Sequence, residues 1–235
     1  MSVKVTNSQV ADFYNKFSTD QKKTGINLRI RTVFKLLKKT GLNKNSKVLE
    51  IGCGVGNLTS LIAKVVTSGK IVSTDISPES VKDAEKLNKS SHNIEFIVSD
   101  MSDFTSKHIF DIVIMADVLE HIPIENHLEL FKNIRKHISS DGIVAINIPS
   151  PLHIEWIRKF NPEHLQIIDQ SLYTDKLLQS IYPNDLYLET LISYSLYHKD
   201  ADHQWIILKP NKNVDLFAKK SNLELGMLNL KSKIF

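Results

Sequence analysis

Four short stretches hold residues whose types and spacing could do chemistry. The first is a glycine-rich turn, Gly52-Cys53-Gly54-Val55-Gly56-Asn57. Glycine lets a backbone turn tightly and approach a ligand closely. The second is Asp75, 19 residues after Gly56, an acid able to accept two hydrogen bonds from a ribose diol. Ser99-Asp100-Met101 is the third. Its carboxylate could take an adenine amino hydrogen while the thioether packs on the ring. The fourth is Ala116-Asp117-Val118-Leu119-Glu120-His121-Ile122-Pro123, in which His121 can exchange a proton near neutral pH. The dinucleotide fingerprint is G-x-G-x-x-G. Here the pattern is G-x-G-x-G, and Asn57 stands where the third glycine belongs. Asp75 does not discriminate, because dinucleotide sites share it and an acid ahead of a helix start at Ser77-Pro78 is common.

These residues need elements to position them. Short apolar runs alternate with helical periodicity from Lys47 onward. Strands are predicted at Lys47–Ile51, Lys70–Thr74, Ile94–Val98, Phe110–Met115 and Ile143–Ile148. Helices are predicted at Asn57–Val66, Pro78–Asn88 and Ile124–Ile138, with a turn at Asp141-Gly142. Ser77 and Pro78 form a good helix start. Strands apolar nearly throughout and separated by helices imply a parallel sheet covered on both faces. Ahead of it, Val10–Phe17 and Ile26–Lys39 read as helices, the second stopped by Gly41. Beyond it, Pro151–Phe160 and Ser171–Ile181 read as helices. Leu186–Tyr197 and His203–Leu208 read as an antiparallel hairpin at the sheet edge. Each of the first four strands therefore ends in one of the four polar stretches, all on one edge of the sheet.

The chain has 235 residues, 42% hydrophobic and 24% charged, which fits one soluble globular domain. A net charge of +4 permits a nucleic-acid partner without demanding one. Lys35, Lys38 and Lys39 read as a solvated helix face. Cys53 is the sole cysteine, so no intrachain disulfide forms and a cytoplasmic, reducing setting is expected. No run approaches the roughly 18 apolar residues of a membrane span, and residues 1–20 lack the apolar core of a signal peptide.

The set "VLEIGCGVGN", "VSTDIS", "VSDM" and "FDIVIMADVLEHIP" resembles the class I S-adenosylmethionine-dependent methyltransferases over roughly Lys47 to Ile148. The resemblance implies an α/β, Rossmann-like, seven-stranded, mostly parallel sheet with an antiparallel final hairpin and helices on both faces. It implies a single domain over 1–235: an N-terminal helical cap (1–45), a cofactor-binding core (46–150), an acceptor-pocket insertion with the hairpin (151–210) and a tail (211–235). S-adenosylmethionine would be the cofactor and S-adenosylhomocysteine the product. Gly52, Cys53 and Gly54 would lie along the methionine part, with Glu50 near its amino group. Asp75 would hold the ribose, with Ile76 against the adenine. Asp100 and Met101 would hold the adenine edge, and Ala116 and Asp117 would lie near the methionine. Tyr14 would close over the cofactor, as an N-terminal tyrosine does in some sugar-modifying relatives. That cofactor has no pyrophosphate, so the misplaced third glycine is no defect.

Methyl transfer is an in-line displacement that aligns an acceptor lone pair and often removes a proton. His121 is the candidate base, against the plainer reading of a helix cap. The chain lacks D/N-P-P-Y after the fourth strand and a Pro-Cys pair, so amino methylation of adenine or glutamine and cytosine C5 methylation are disfavoured. His121, His127 and Glu125 do not converge at helical spacing, so no metal is expected. The segment Pro149–Leu172 holds His153, Trp156, His164, Gln166 and Asp169, and His198, His203 and Trp205 surround the hairpin. This mixture suits a hydroxylated small molecule or glycan unit. The expectation is therefore a methyltransferase acting on a small molecule or glycan unit, O-directed first, with N-directed transfer left open. Its rivals are a nicotinamide-dependent oxidoreductase, an RNA methyltransferase and a non-catalytic cofactor-binding module.

Overall fold

The computed structural model describes residues 6–213, 215 and 218–232; the expected tail 211–235 lies partly outside them. Seven strands form one sheet in the order β3-β2-β1-β4-β5-β7-β6. They are β1 (Lys47–Ile51), β2 (Lys70–Asp75), β3 (Ile94–Val98), β4 (Phe110–Ala116), β5 (Ile138–Pro149), β6 (Leu186–Tyr194) and β7 (His203–Pro210). The first five pair in parallel, and β7 pairs antiparallel with both β5 and β6. Chain order reverses at β1, which lies between β2 and β4, and the space outside the carboxyl ends of these strands is where such sheets bind ligands.

Side chains alternate across the sheet, which sorts the strand residues into two cores. Leu49, Ile51, Val113, Met115, Val144 and Ile146 face one side with Phe131 and Ile134 of α5 (His127–His137) and Leu177 and Ile181 of α7 (Thr174–Ile181). Val48, Ile112, Ile114 and Ala145 face the other, with Val33 and Leu37 of α2 (Leu28–Lys39) and Leu58 and Ile62 of α3 (Asn57–Ala63). Burying such side chains contributes about 1.5–3 kcal/mol each, and here burial on both faces explains the nearly unbroken apolar strands.

The helix starts follow from local chemistry. Thr6 and Gln9 form a capping box for α1 (Asn7–Thr24), Asn27 caps α2, and Ser77 caps α4 (Pro78–Leu87) with Pro78 in its first turn. Ser150 caps α6 (Pro151–Phe160). A last helix, α8 (Asn222–Ser232), follows the sheet.

Several boundaries differ from the sequence reading. The turn expected at Asp141-Gly142 is an irregularity inside β5: pairing with β4 jumps from Phe110↔Ile138 to Ile112↔Ile143. The extra residues bulge and the strand continues. A short 3-10 turn, Ile124–Asn126, precedes α5. β6 stops at Tyr194, because the Asp202 carboxylate accepts the backbone N–H groups of Leu196, Tyr197 and His198 and turns the chain. No described helix is long and apolar enough to cross a membrane.

Candidate active site

A cavity of about 630 Å³ opens at the carboxyl ends of the central strands, within the range of small-molecule sites. Gly52 and Gly54 from the turn after β1 line it, as do Asp75 at the end of β2 and Ile76 after it. So do Asp100 and Met101 after β3, and Ala116 and Asp117 at the end of β4. The four stretches singled out by residue type thus meet on one wall. Gly52 and Cys53 both donate backbone N–H groups to Thr74 O, at 2.8 and 2.9 Å, which fastens the turn to β2. Gly52 has φ +72°, and a Cβ there would lie 2.3 Å from Val118 Cγ2. Only glycine lets the turn nest against the segment after β4.

On this wall the carboxylates are well supplied. Asp75 accepts Gly54 N–H at 2.8 Å and Ser77 N–H at 2.9 Å. Burial raises its pKa, and the two amide bonds oppose that. Each carboxylate oxygen has a second lone pair, so a diol can still be accepted. Asp100 accepts Asn7 Nδ2 at 2.6 Å and both groups of Ser102. Burial alone would raise its pKa, but these bonds outweigh burial and hold it below the ordinary value. Asp117 accepts Asn147 Nδ2 at 2.9 Å and lies 3.1 Å from Arg29 Nε. Met101 and Asp117 carry positive φ, +69° and +57°. Such strain in non-glycine residues clusters at functional sites.

Two expected cofactor contacts stand off the wall. Glu50 points away from the cavity and accepts Thr59 Oγ1 at 2.6 Å and Ser73 Oγ at 2.9 Å. Strand alternation decides this: its neighbour Ile51 takes the cavity side. Burial pushes the Glu50 carboxyl up to about 7, against the two hydroxyl bonds. Cys53 is also buried, with Sγ turned toward Gly54 O at 3.5 Å. Burial, then the charges of Asp75 and Glu50, raise its thiol well above the ordinary value, which makes it a poor nucleophile.

The opposite wall comes from α1, α2, the 3-10 turn Leu119–His121, α6 and the segment 161–173. His121 Nδ1 lies 2.7 Å from Ile168 O and 3.0 Å from Asp169 Oδ1. A carbonyl only accepts, so Nδ1 carries the proton. Nε2 is left as the second ring nitrogen, 3.7 Å from Glu120 Oε1. Burial disfavours the imidazolium, but Glu120 and Asp169 outweigh burial and push His121 up to about 9. Glu120 is 1% exposed and neither carboxylate oxygen accepts a hydrogen bond. Burial pushes it up to about 7. Tyr14 donates its hydroxyl to Gln166 Oε1 at 2.8 Å, and its ring meets the His121 ring edge-on at 6.2 Å. Gln170 fastens segment 161–173 to the turn: it accepts Ile124 N–H at 3.1 Å and donates to Ile122 O and Glu120 O. Among the described residues no group of three His, Cys, Asp or Glu is placed to hold a metal ion.

A family model described as "Methyltransferase domain" matches residues 42–197, more than half of the chain. The chain belongs to this methyltransferase family. This methyltransferase is 22% identical over 188 residues to trans-aconitate 2-methyltransferase of Escherichia coli, a match spanning 76% of this chain and 71% of the relative. Its fold is that of the S-adenosylmethionine-dependent methyltransferases. The enzyme of that class from Clostridium acetobutylicum superposes with a TM-score of 0.66 at 15% identity, over 85% of this chain and 99% of the other. Magnesium protoporphyrin IX methyltransferase of Synechocystis, solved with S-adenosylmethionine bound, superposes with a TM-score of 0.67 at 15% identity, over 90% and 100%. Membership of the methyltransferase family sets aside both the oxidoreductase and the non-catalytic module. Sequence reasoning did not single out Arg29, Glu120 or Asn147 as site residues. Only Glu120 lay within a motif already under scrutiny; the others reach the site through long-range contacts that leave no local pattern.

Proposed function

We propose that this methyltransferase moves a methyl group from S-adenosylmethionine to an oxygen of a small hydroxylated molecule, with His121 Nε2 as general base. The observation that carries the reading is the His121–Asp169–Ile168 arrangement. Asp169 and the Ile168 carbonyl fix the proton on Nδ1, so Nε2 is the nitrogen able to receive one. When bound, the cofactor supplies an electrophilic methyl group on a cationic sulfonium. The donor set suits it: Gly52 and Gly54 leave room for the amino-acid tail, Asp75 takes the ribose diol, and Asp100 with Met101 takes the adenine. Asp117 and Glu120 are anionic neighbours for a positive sulfur.

Before cofactor binds, His121 favours the imidazolium at neutral pH, since Glu120 and Asp169 push it up to about 9. A cation entering the same cavity opposes that charge and frees the base. Tyr14 and α1 close one side and segment 161–173 the other, which excludes water.

The acceptor class follows from charge. Among the described residues seven carboxylates and one guanidinium line the cavity, and the guanidinium is paired to Asp117. Such a wall repels a tricarboxylate, so the acceptor proposed here differs from the one that names the Escherichia coli relative. Calorimetry tests the cofactor, with S-adenosylhomocysteine expected to bind. A labelled-methyl assay against hydroxylated compounds tests the acceptor. Base-stable N-methyl amines in place of ethers would sink the O-methyl reading, and base-labile methyl esters would sink the hydroxyl acceptor.

A further inference from the structure

We propose that Glu120 selects the acceptor by seating a protonated amine on the carbon next to the hydroxyl that faces His121, so that the acceptor is a vicinal amino alcohol. This rests on the proposed function and names its substrate class. The first observation is the Glu120 side chain. It lines the cavity, is 1% exposed, and neither oxygen accepts a hydrogen bond among the described residues. A buried carboxylate without a hydrogen bond costs free energy even beside an imidazolium, and a ligand that donates to it recovers part of that cost.

Among the described residues no donor is placed on Glu120, although Arg29 Nε is itself buried without a hydrogen-bond partner. Arg29 of α2 lies against Asp117 at 3.1 Å. Tyr14 of α1 gives its hydroxyl hydrogen to Gln166. Asp117 at the end of β4 and Asp169 of segment 161–173 are acids themselves. His121 Nδ1 is committed to Ile168 O and Asp169. Among the described residues only His121 Nε2 pairs with Glu120, at 3.7 Å, beyond hydrogen-bond distance, while Arg29 acts on it as a nearby charge. The wall around it carries, among the described residues, seven carboxylates and one guanidinium, which favours a cationic group over a neutral one.

The second observation is spacing. Glu120 Oε1 and His121 Nε2 are 3.7 Å apart. Two groups of one ligand that bind these atoms together must themselves be close, as they are on adjacent carbons. The pairing also has a consequence for the reaction. An ammonium on Glu120 cancels the negative field that holds the proton on His121, so the right acceptor switches on its own base. The oxygen–methyl bond then forms as the sulfur–methyl bond breaks, the hydroxyl proton passes to His121 Nε2, and the amine leaves as it entered.

The test uses the full chain saturated with S-adenosylhomocysteine, titrated calorimetrically with cis- and trans-2-aminocyclohexanol and with the matching cyclohexane-1,2-diols. An amino alcohol is expected to bind about thirtyfold tighter than its diol at pH 7, and the preference is expected to vanish in Glu120→Gln. S-adenosylhomocysteine binding by the variant shows that it is folded; if it is not, the wild-type comparison decides alone. Equal affinity for diol and amino alcohol, no binding of either amino alcohol, or a preference that survives in Glu120→Gln overturns the proposal. Absence of S-adenosylhomocysteine binding to the wild type removes the cofactor reading and this proposal with it. Binding of that product without amine preference overturns this proposal alone.

Discussion

Two buried glutamates stand at the two sides of the reaction space, and burial pushes both up to about 7. Glu50, under the cofactor turn, accepts hydroxyl hydrogens from Thr59 and Ser73. Glu120, on the acceptor wall, accepts none. The same contrast runs through the regions around them. On the cofactor wall, backbone N–H groups of the β1 and β2 turns and nearby side chains satisfy Asp75 and Asp100 before any ligand arrives. The acceptor wall is assembled from α1, α2, the turn at Leu119–His121 and segment 161–173, and it keeps a buried carboxylate without a hydrogen bond among the described residues. A preorganised wall holds a ligand every such enzyme shares, whereas an unfinished wall discriminates among ligands, because an unpaired buried group penalises the wrong one.

The largest expected effect tests whether the acceptor wall does the proton chemistry. His121→Ala is expected to lower turnover by about 10²- to 10⁴-fold while S-adenosylhomocysteine still binds. A variant with normal product binding and undiminished turnover would take the base away from this wall.

Next in size is stability, where the two glutamates should respond with opposite signs. Glu50→Ala strands the Thr59 and Ser73 hydroxyls and leaves a cavity, at a cost of about 2–4 kcal/mol. Glu120→Gln at pH 9.5, where Glu120 is charged and His121 increasingly neutral, removes an unpaired buried charge and should raise stability by about 1 kcal/mol. Denaturant unfolding of both variants measures this. A loss of comparable size in both would erase the contrast. For Glu50 the sign with pH is fixed too. Its folded pKa of about 7 exceeds the ordinary 4.5. Between those values the folded chain holds a proton that the unfolded chain has lost, so its contribution to stability falls as pH rises from about 4.5 to about 7.

The contrast also explains what could be read from the sequence. The strands, the mostly parallel sheet and the final hairpin were legible because their signals are local. Gly52, Asp75, Asp100 and Asp117 sit at strand ends that apolar runs announce. Glu50 was expected near the cofactor's amino group; its bonds to Thr59 and Ser73 were not legible, since alternation alone does not say which partners a strand residue meets. Arg29 was invisible, because its partner Asp117 lies 88 residues away. The Gln170 clamp on Ile122 and Glu120 was equally hidden, as a glutamine side chain gives no sign of which distant carbonyls it will meet. The expected break at Asp141-Gly142 became a bulge because neighbouring β4 offers pairing on both sides of it.

A smaller effect should appear in the pH profile. The base works only when neutral, so kcat/KM should rise with pH up to about 9, the value of His121 in the free cavity. Asp169→Asn removes one of the two charges that favour the imidazolium, so the rising limb should move to lower pH by about one unit. A limb that stays in place would mean that Asp169 positions the ring without setting its proton affinity.

The smallest expected change concerns Tyr14, which touches both regions. Its hydroxyl donates to Gln166 of segment 161–173, while its ring lies edge-on to His121. Burial, aided by Glu120, Asp169 and Asp75, raises its pKa, so it acts as a neutral donor and never as a base. Tyr14→Phe keeps the ring and loses one hydrogen bond, worth about 1 kcal/mol. That loss should raise KM for the acceptor about fivefold and leave kcat and S-adenosylhomocysteine affinity in place. A fall in kcat with KM unchanged would move Tyr14 from closing the acceptor wall to aligning the reacting atoms. A weakened product affinity would place it on the cofactor side, where the resemblance to sugar-modifying relatives had put it.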